Sequence, residues 1–468
     1  MLKQALRRVA SLDAFILISG VLFWYLRAHY WRSNHEEPFS DLLGYIAAGT
    51  NIAQHFFFGL DAAHPTYYTP VTPSLIAIAK LFGGDRYDRV FRVLVQVIAF
   101  LGAAALAHEL TLATRRRWLG AAFFFIVAIC RPSIFWSLKL ATEPVCEAML
   151  YATAATALRT LRTRSVPWAL VAGFFAIMLG LNRPNFAPGA LLVPVLLLFC
   201  VGPSPTRKEV EEGADPPPRD DAPPRRRLSV SGRGLALAAA FCVVFFGIWS
   251  VWIGRNLVNY GAFVPTASSN GQPALWEYGG GPVKVGRYDH LTLSDGSTFS
   301  DFGHIMEETG RYPFDYQAAK RLNQIAGAWY LANWQDLPRV FLWRLKHMVA
   351  NRGASGLTRL SREDLFFSPA FGYNSPFTQL AWINLMLVDK TPTVCLLALA
   401  GVLLLIWRAP AAGLILGALC VTPWLVAAAV IGYERVVESL IGLMVWLALF
   451  AVAEIAERFR PVAAAPAS

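Results

Sequence analysis

Long apolar runs of roughly 17–22 residues recur along this chain, and polar positions do not alternate within them. That is the length needed to cross a hydrocarbon core of ~30 Å as a helix. Unbroken runs exclude a β-barrel, whose strands alternate with a period of two. The pattern predicts an all-α polytopic membrane protein with about ten transmembrane helices. The spans fall near 12–30, 89–108, 118–136, 143–158, 166–181, 186–201, 235–253, 392–407, 411–431 and 436–453. The loop 31–87 follows the first span and carries surface helices. The run from Asp41 to Phe58 has helical character, and Ser74–Phe82 is apolar but too short to cross.

The pattern also divides the chain. Residues 1–201 form an N-terminal transmembrane module that includes the loop 31–87. Residues 202–234 are rich in proline and charge, with almost no large apolar side chains, and are expected to be a disordered cytoplasmic linker. The seventh span, 235–253, leads into a mixed-polarity loop at 254–390 rich in Gly, Tyr, Trp, Asp and Asn. That loop is expected to contain helices such as Tyr316–Trp334 and Arg339–Val349. Residues 391–468 hold the last spans and a cytoplasmic tail, and no internal repeat is visible.

Composition agrees with the pattern. Of 468 residues, 55% are hydrophobic and 16% charged, against about 25% charged in soluble chains. A net charge of +11 invites a nucleic-acid reading, but the arginines are spread between helices. With the N-terminus in the cytoplasm, Arg115–Arg117, Arg159, Arg162, Arg164, the linker, Arg408, Arg458 and Arg460 all fall inside, as the positive-inside rule requires. Both termini are then inside, Asp41 and the loop 254–390 lie outside, and no nucleic-acid partner is needed. Lys3, Arg7 and Arg8 followed by apolar Leu12 to Tyr30 read as an uncleaved first span, too long for a signal-peptide core. Cys130, Cys146, Cys200, Cys242, Cys395 and Cys420 all lie in apolar segments and offer no disulfide framework.

The first outer loop holds the main candidate chemistry: His35-Glu36-Glu37-Pro38-Phe39-Ser40-Asp41-Leu42-Leu43-Gly44-Tyr45. Pro38 resists a helix interior and Ser40 is a good N-cap, so a helix is expected to start here. Asp41 then sits in the first turn, where the helix dipole favours its ionised form, with Tyr45 on the same face. Asp41 is the candidate base; an acidic cluster beside a span also serves as a solvated cap. The outer ends of the spans collect further charges at Arg131, Lys139, Glu143, Arg183, Arg255, Glu434 and Arg435. Singly, these suit snorkelling, a Glu434–Arg435 ion pair or a capped turn. Together they suit a lipid-borne phosphate, whose oxygens match the paired donors of arginine.

These residues resemble a known family. Pro38-Phe39-Ser40-Asp41 with Tyr45, then Tyr67-Tyr68-Thr69-Pro70-Val71-Thr72-Pro73-Ser74-Leu75, then Thr142-Glu143-Pro144 and Asn182-Arg183-Pro184-Asn185 occur in order. Trp252-Ile253-Gly254-Arg255-Asn256, with Gly261, Phe263 and Val264, and finally Glu434-Arg435 follow. The chain is similar to GT-C type glycosyltransferases that use polyprenyl-phosphate sugars, such as the bacterial aminoarabinose transferases and protein O-mannosyltransferases. Many relatives have two adjacent acidic residues at the first-loop site. Here Asp41 precedes Leu42 and the acidic pair Glu36-Glu37 lies upstream, so either can be the base.

The resemblance implies an inverting transfer of sugar from a polyprenyl-phosphate donor to a lipid, glycan or protein hydroxyl, on the outer face of a bacterial inner membrane. Asp41 would take the acceptor proton. Arg255, with Arg183 or Arg131, would stabilise the leaving phosphate. Glu143 would orient an arginine or meet the sugar, Tyr45 and Tyr68 would line the sugar site, and Glu434-Arg435 has a family counterpart. Some relatives bind a divalent metal and others need none, and no metal is assigned here. The residues available for one are His35, Glu36, Glu37, Asp41 and His64, without diagnostic spacing. A transporter or flippase of a lipid-linked sugar is the alternative, although repeated halves and midplane breaks are not evident. A scaffold displaying the large outer loop is a third reading.

Overall fold

Every described element is a helix, as continuous apolar runs demand. The computed structural model describes residues 2–33, 41–59, 68–200, 231–261, 263–266, 331, 334–339, 341–342, 345, 391–430 and 439–459. We label the main helices in order. They are α1 (Leu2–Ser33), α2 (Asp41–His55), α3 (Val71–Gly83), α4 (Tyr87–Thr114), α5 (Arg117–Ile129), α6 (Arg131–Ser137) and α7 (Thr142–Thr163). After them come α8 (Val166–Asn182), α9 (Ala187–Cys200), α10 (Gly232–Tyr260), α11 (Thr391–Arg408), α12 (Pro410–Val430) and α13 (Ile441–Arg458).

Leu12–Arg32, Val71–Thr114, Gly232–Asn259 and Pro410–Ala427 are long and apolar enough to cross a membrane. The chain is therefore read as a helical membrane protein. Four further apolar helices are shorter: Arg117–Ile129, Val166–Asn182, Pro184–Phe199 and Thr393–Arg408. Among the described residues, helix length and hydropathy alone thus carry four spans, and the expected ten are not established by them. Two features contribute to the difference, beside the short length of Val166–Asn182, Pro184–Phe199 and Thr393–Arg408. One is helix breaking. The expected span 118–136 is two helices, because Cys130 leaves the helical region (φ −61°, ψ 111°) just before Arg131-Pro132. The other is burial within protein. Helix α7 is enclosed along almost its whole length and is rich in Ala and Thr rather than Leu and Ile. A helix that meets protein on every side needs small residues for close packing more than it needs hydropathy.

Helix α7 is the hub of the N-terminal half. It packs on α4 and α8, and α8 in turn packs on α10. Helices α9, α10 and α12 continue this wall, and α11 pairs with α13. The α11–α13 approach is close enough that a Cβ on Gly401 would stand 2.1 Å from the Leu447 carbonyl oxygen. Trp446 joins α13 to α5 by donating its indole N–H to the Leu119 carbonyl at 2.8 Å. Helices α2 and α3 pack on each other at one end of the bundle, where the first-loop surface helices were expected. The expected linker 202–234 ends early, because Ser231 caps α10 by accepting from the Gly234 N–H at 3.0 Å. Its remainder lies outside the described residues, as do most of 254–390 and both loop helices expected there, apart from Trp334–Asp336 and a few neighbouring positions.

The α5–α6 break is held by a buried cation. In a continuous helix the Ala128 carbonyl would accept from the N–H of residue 132, which is proline and has none. Arg27 of α1 is 0% exposed and fills that role. Its guanidinium donates to Ala128 O at 3.2 Å, Val127 O at 3.4 Å, Ser133 Oγ at 2.5 Å and Gln96 Oε1 at 2.7 Å. It also stacks 3.7 Å from the Phe23 ring centroid. Irregular backbone at membrane depth persists only where such partners exist.

The basic clusters gather at the end of the bundle opposite α2. There Arg116 pairs with Glu454 at 2.8 Å and Glu457 at 2.6 Å, and Arg117 pairs with Asp13 at 2.8 Å. Arg162 holds Glu109 through two hydrogen bonds, at 2.9 and 2.8 Å. Arg408 lies 3.7 Å from Glu454.

Candidate functional site

Helix α2 begins at Asp41, the position expected from Pro38 and Ser40. Its third-next residue, Gly44, faces Tyr68. A Cβ at Gly44 would lie 1.9 Å from the Tyr68 hydroxyl oxygen, so only glycine admits that ring. The Tyr45 and Tyr68 rings meet at 4.5 Å between centroids, tilted by 50°. Tyr68 therefore lies against the turn of α2 that follows Asp41. Leu42 packs with Trp136 and Ala141, which ties the same turn to the α6–α7 connection.

Directly after Tyr68 the chain enters a hydrogen-bonded knot centred on Asn182, the last residue of α8. Thr69 donates to the Asn182 carbonyl at 3.0 Å, and Thr72 donates to its Oδ1 at 2.7 Å. Asn182 Nδ2 donates to the Thr142 carbonyl at 2.8 Å. Next to it, Arg183 donates to Glu143 Oε1 at 2.6 Å and, through Nε, to Thr142 Oγ1 at 3.1 Å. Glu143 is 2% exposed. It sits in the first turn of α7, where the helix dipole favours a carboxylate and where Pro144 costs no intrahelical bond. Its pairing with Arg183 meets the requirement that a buried charge be paired.

Three segments distant in sequence, at 68–72, 142–144 and 182–183, are thus joined beside α2. Arg255 is not in this knot. It donates to the Phe58 carbonyl and to Asn256 Oδ1 at 2.7 Å, and lies 5.0 Å from the Trp252 ring centroid. Phe58 follows the C-terminal end of α2, and α2 is itself roughly 20 Å long. Asn256 is fully buried and donates to the Val264 carbonyl at 2.9 Å, which folds the chain after α10 back onto it.

A half-open cavity of ≈ 270 Å³ lies on the other flank of α2. Leu42 and Ile46 form its wall on α2, and Asp85, in the turn Gly84–Arg86, lines it with Tyr87, Asp88 and Arg92 from the start of α4. Leu138-Lys139-Leu140 close it. Asp88 and Arg92 pair at 3.3 Å, and Arg92 Nε donates to the Leu138 carbonyl at 2.8 Å. Lys139 is 5% exposed, with its ammonium 4.3 Å from the Phe135 ring centroid.

The residues expected at the site therefore divide into groups. Tyr45, Tyr68, Glu143 and Arg183 stand around one end of α2, and Arg255 stands at the other. The side chains of Asp41 and Arg131 lie outside what is described, and so do Glu36, Glu37, His64, Glu434 and Arg435. Among the described residues, no three His, Cys, Asp or Glu side chains come together in a way that could hold a metal. Sequence reasoning passed over Asn182 as a hub, with Thr69, Thr72 and Thr142. It also passed over Asp85, Asp88 and Arg92, although Gly83-Gly84-Asp85-Arg86-Tyr87-Asp88-Arg89, a charged run at the start of a span, was visible.

No family model matches the chain, and no curated protein matches it. Among solved structures, the apo crystal structure of the Archaeoglobus fulgidus oligosaccharyltransferase aligns with a TM-score of 0.49 and 14% identity, over 96% of this chain and 51% of that one. The archaeal oligosaccharyltransferase AglB from the same organism, in complex with an inhibitory peptide and a dolichol-phosphate, aligns with a TM-score of 0.46 and 12% identity over the same shares. The chain spans about half the length of these structures. At these values neither lends its activity to this protein.

Proposed function

We propose that this protein is an inverting glycosyltransferase that moves a sugar from a polyprenyl-phosphate donor to an acceptor hydroxyl on the outer face of the membrane. The proposal includes ten spans with both termini inside, an N-terminal catalytic module, a cytoplasmic linker and a large outer loop. One observation supports it most. The motifs at 68–72, 142–144 and 182–183, which carry the resemblance in sequence, are hydrogen-bonded together beside the first turn of α2. Segments separated by this much chain have no local reason to share a buried polar knot at a bundle end. Charged and polar groups at membrane depth are costly and are most often kept for function.

In this reading Asp41 accepts the proton of an acceptor hydroxyl while that oxygen attacks the anomeric carbon. The bond from the anomeric carbon to the phosphate oxygen breaks on the opposite face, so configuration inverts. Arg183, oriented by Glu143 and Thr142, meets the charge that grows on the phosphate. Arg255, seated at the far end of α2, fits the positioning of the donor lipid better than the leaving oxygens. Tyr45 and Tyr68 line the approach to the base.

The test uses purified protein in lipid nanodiscs, polyprenyl-phosphate sugars and a membrane extract as acceptor source. The expected outcome is donor-dependent transfer with a product anomer opposite to that of the donor. Retention of the donor anomer would remove the inverting step. Movement of intact donor between leaflets without sugar release would replace the enzyme by a transporter.

A further inference from the structure

The cavity beside α2 is used neither by the knot nor by Arg255, and its lining has an unusual balance. Two carboxylates, Asp85 and Asp88, and two cations, Arg92 and Lys139, line it, with Asp88 and Arg92 paired at 3.3 Å, so the formal charges cancel. The apolar remainder comes from the Tyr87 ring and from Leu42, Ile46 and Leu140. A phosphate placed there would face both carboxylates, and a bare cation would face both cations. A lipid chain would strip water from four charged groups with no compensation. A neutral ring carrying several hydroxyls fits each part. Every hydroxyl both donates and accepts, so it can meet a carboxylate on one side and a cation on the other. The C–H faces of such a ring suit tyrosine and leucine.

Size limits the ligand further. At ≈ 270 Å³ the space falls just below the range of about 300–1,000 Å³ typical of drug-sized ligands. It admits one ring rather than an oligosaccharide. Its position is also informative. Leu42 is next in sequence to Asp41, and Leu140 is three residues before Glu143, so two stretches of the cavity lining are continuous in sequence with the candidate site.

We infer that this cavity is a subsite for a single neutral monosaccharide unit, held by Asp85, Asp88, Arg92 and Lys139. The inference rests on the sugar-transfer reading for its place in a reaction, but the binding itself does not require turnover. The unit can belong to the donor lipid or to a glycan acceptor, and kinetics separate these sources.

The experiment titrates full-length protein in nanodiscs with methyl glycosides of neutral hexoses, observed by saturation-transfer NMR, with inorganic phosphate as competitor. Wild type is expected to bind a neutral glycoside, with no displacement by phosphate. Asp85→Asn is expected to weaken binding at least tenfold. Ile46→Phe, which narrows the cavity without removing a charge, is expected to do the same at unchanged thermal stability. In transfer assays, Asp85→Asn raises the KM for the polyprenyl-phosphate sugar if the unit is the donor's, or the KM for the glycan acceptor if it is the acceptor's. Binding unchanged in both variants, displacement by phosphate, or neither KM moving would overturn the subsite. Loss of glycoside binding in Asp85→Asn without any detectable transfer by wild type would leave the subsite standing and remove the glycosyltransferase reading instead.

Discussion

Gly44 shows how one residue can carry a site. It lies inside a helix, where alanine would ordinarily be favoured by roughly 1 kcal/mol. Here a Cβ would stand 1.9 Å from the Tyr68 hydroxyl oxygen. Gly44→Ala is therefore expected to displace Tyr68 and lower sugar transfer while leaving the helix intact. Truncating the obstacle as well, in Gly44→Ala/Tyr68→Ala, should show strong coupling in a double-mutant cycle, since the two residues touch. Additive effects on transfer would mean that the contact does not matter. Asn182 is a second such residue, 1% exposed and bonded to Thr72, Thr142 and, through its carbonyl, Thr69. Asn182→Leu leaves the Thr72 hydroxyl without its acceptor, at about 1–3 kcal/mol, and removes the second donor from the Thr142 carbonyl, which keeps its place in the first turn of α7. Thermal unfolding in detergent should fall accordingly. A change below about 0.5 kcal/mol would show that the knot contributes little to stability.

Helices α5 and α6 mark the boundary between what the sequence revealed and what it concealed. The run from 118 to 136 is apolar apart from Arg131 and Ser133, so periodicity alone reads one span through it. Arg131-Pro132 was a visible warning, because proline removes the donor for Ala128. What the sequence could not reveal is that Arg27, far away on the first span, supplies the missing donors. Arg27→Met is expected to destabilise the fold by about 2–4 kcal/mol, measured by denaturant or heat in micelles. Arg27→Lys is not expected to rescue it, because a compact ammonium cannot reach two carbonyls, Gln96 and Ser133 together. Pro132→Ala returns an N–H to position 132 and should reduce the cost of Arg27→Met. An equal cost with and without Pro132 would remove the stitching role. Helix α7 carried the opposite ambiguity. It read as a short span because its apolar run lies between Glu143 and Arg159, whereas the helix runs from Thr142 to Thr163 and its Ala and Thr content suits its enclosure by α4 and α8.

At the scale of the whole molecule, the helical class and the helix positions were legible because lipid and water impose them on composition. Helices α4, α8 and α11 run close to the expected spans 89–108, 166–181 and 392–407. The gathering of Thr69, Thr142 and Arg183 was less legible, since convergence depends on how α3, α7 and α8 pack. The charge-paired basic end around Arg116, Arg117, Arg162 and Arg408 supports a cytoplasmic assignment under the positive-inside rule. That assignment has a direct check by cysteine labelling. Phe56→Cys, at a position 87% exposed after α2, should react with an impermeant maleimide added outside intact cells. Arg164→Cys, at the other end, should react only after permeabilisation. The reverse pattern would invert the topology and move the knot to the cytoplasmic side.

The central claim is that Asp41, at the start of α2, is the base of a lipid-linked sugar transfer. The most direct measurement compares wild type with Asp41→Asn in transfer of radiolabelled sugar from polyprenyl phosphate, at matched expression and thermal stability. Loss of general-base catalysis typically costs 10²–10⁴-fold, so transfer should fall by about that factor while donor binding persists. Equal transfer by the two proteins would contradict the claim and return the role of base to another residue.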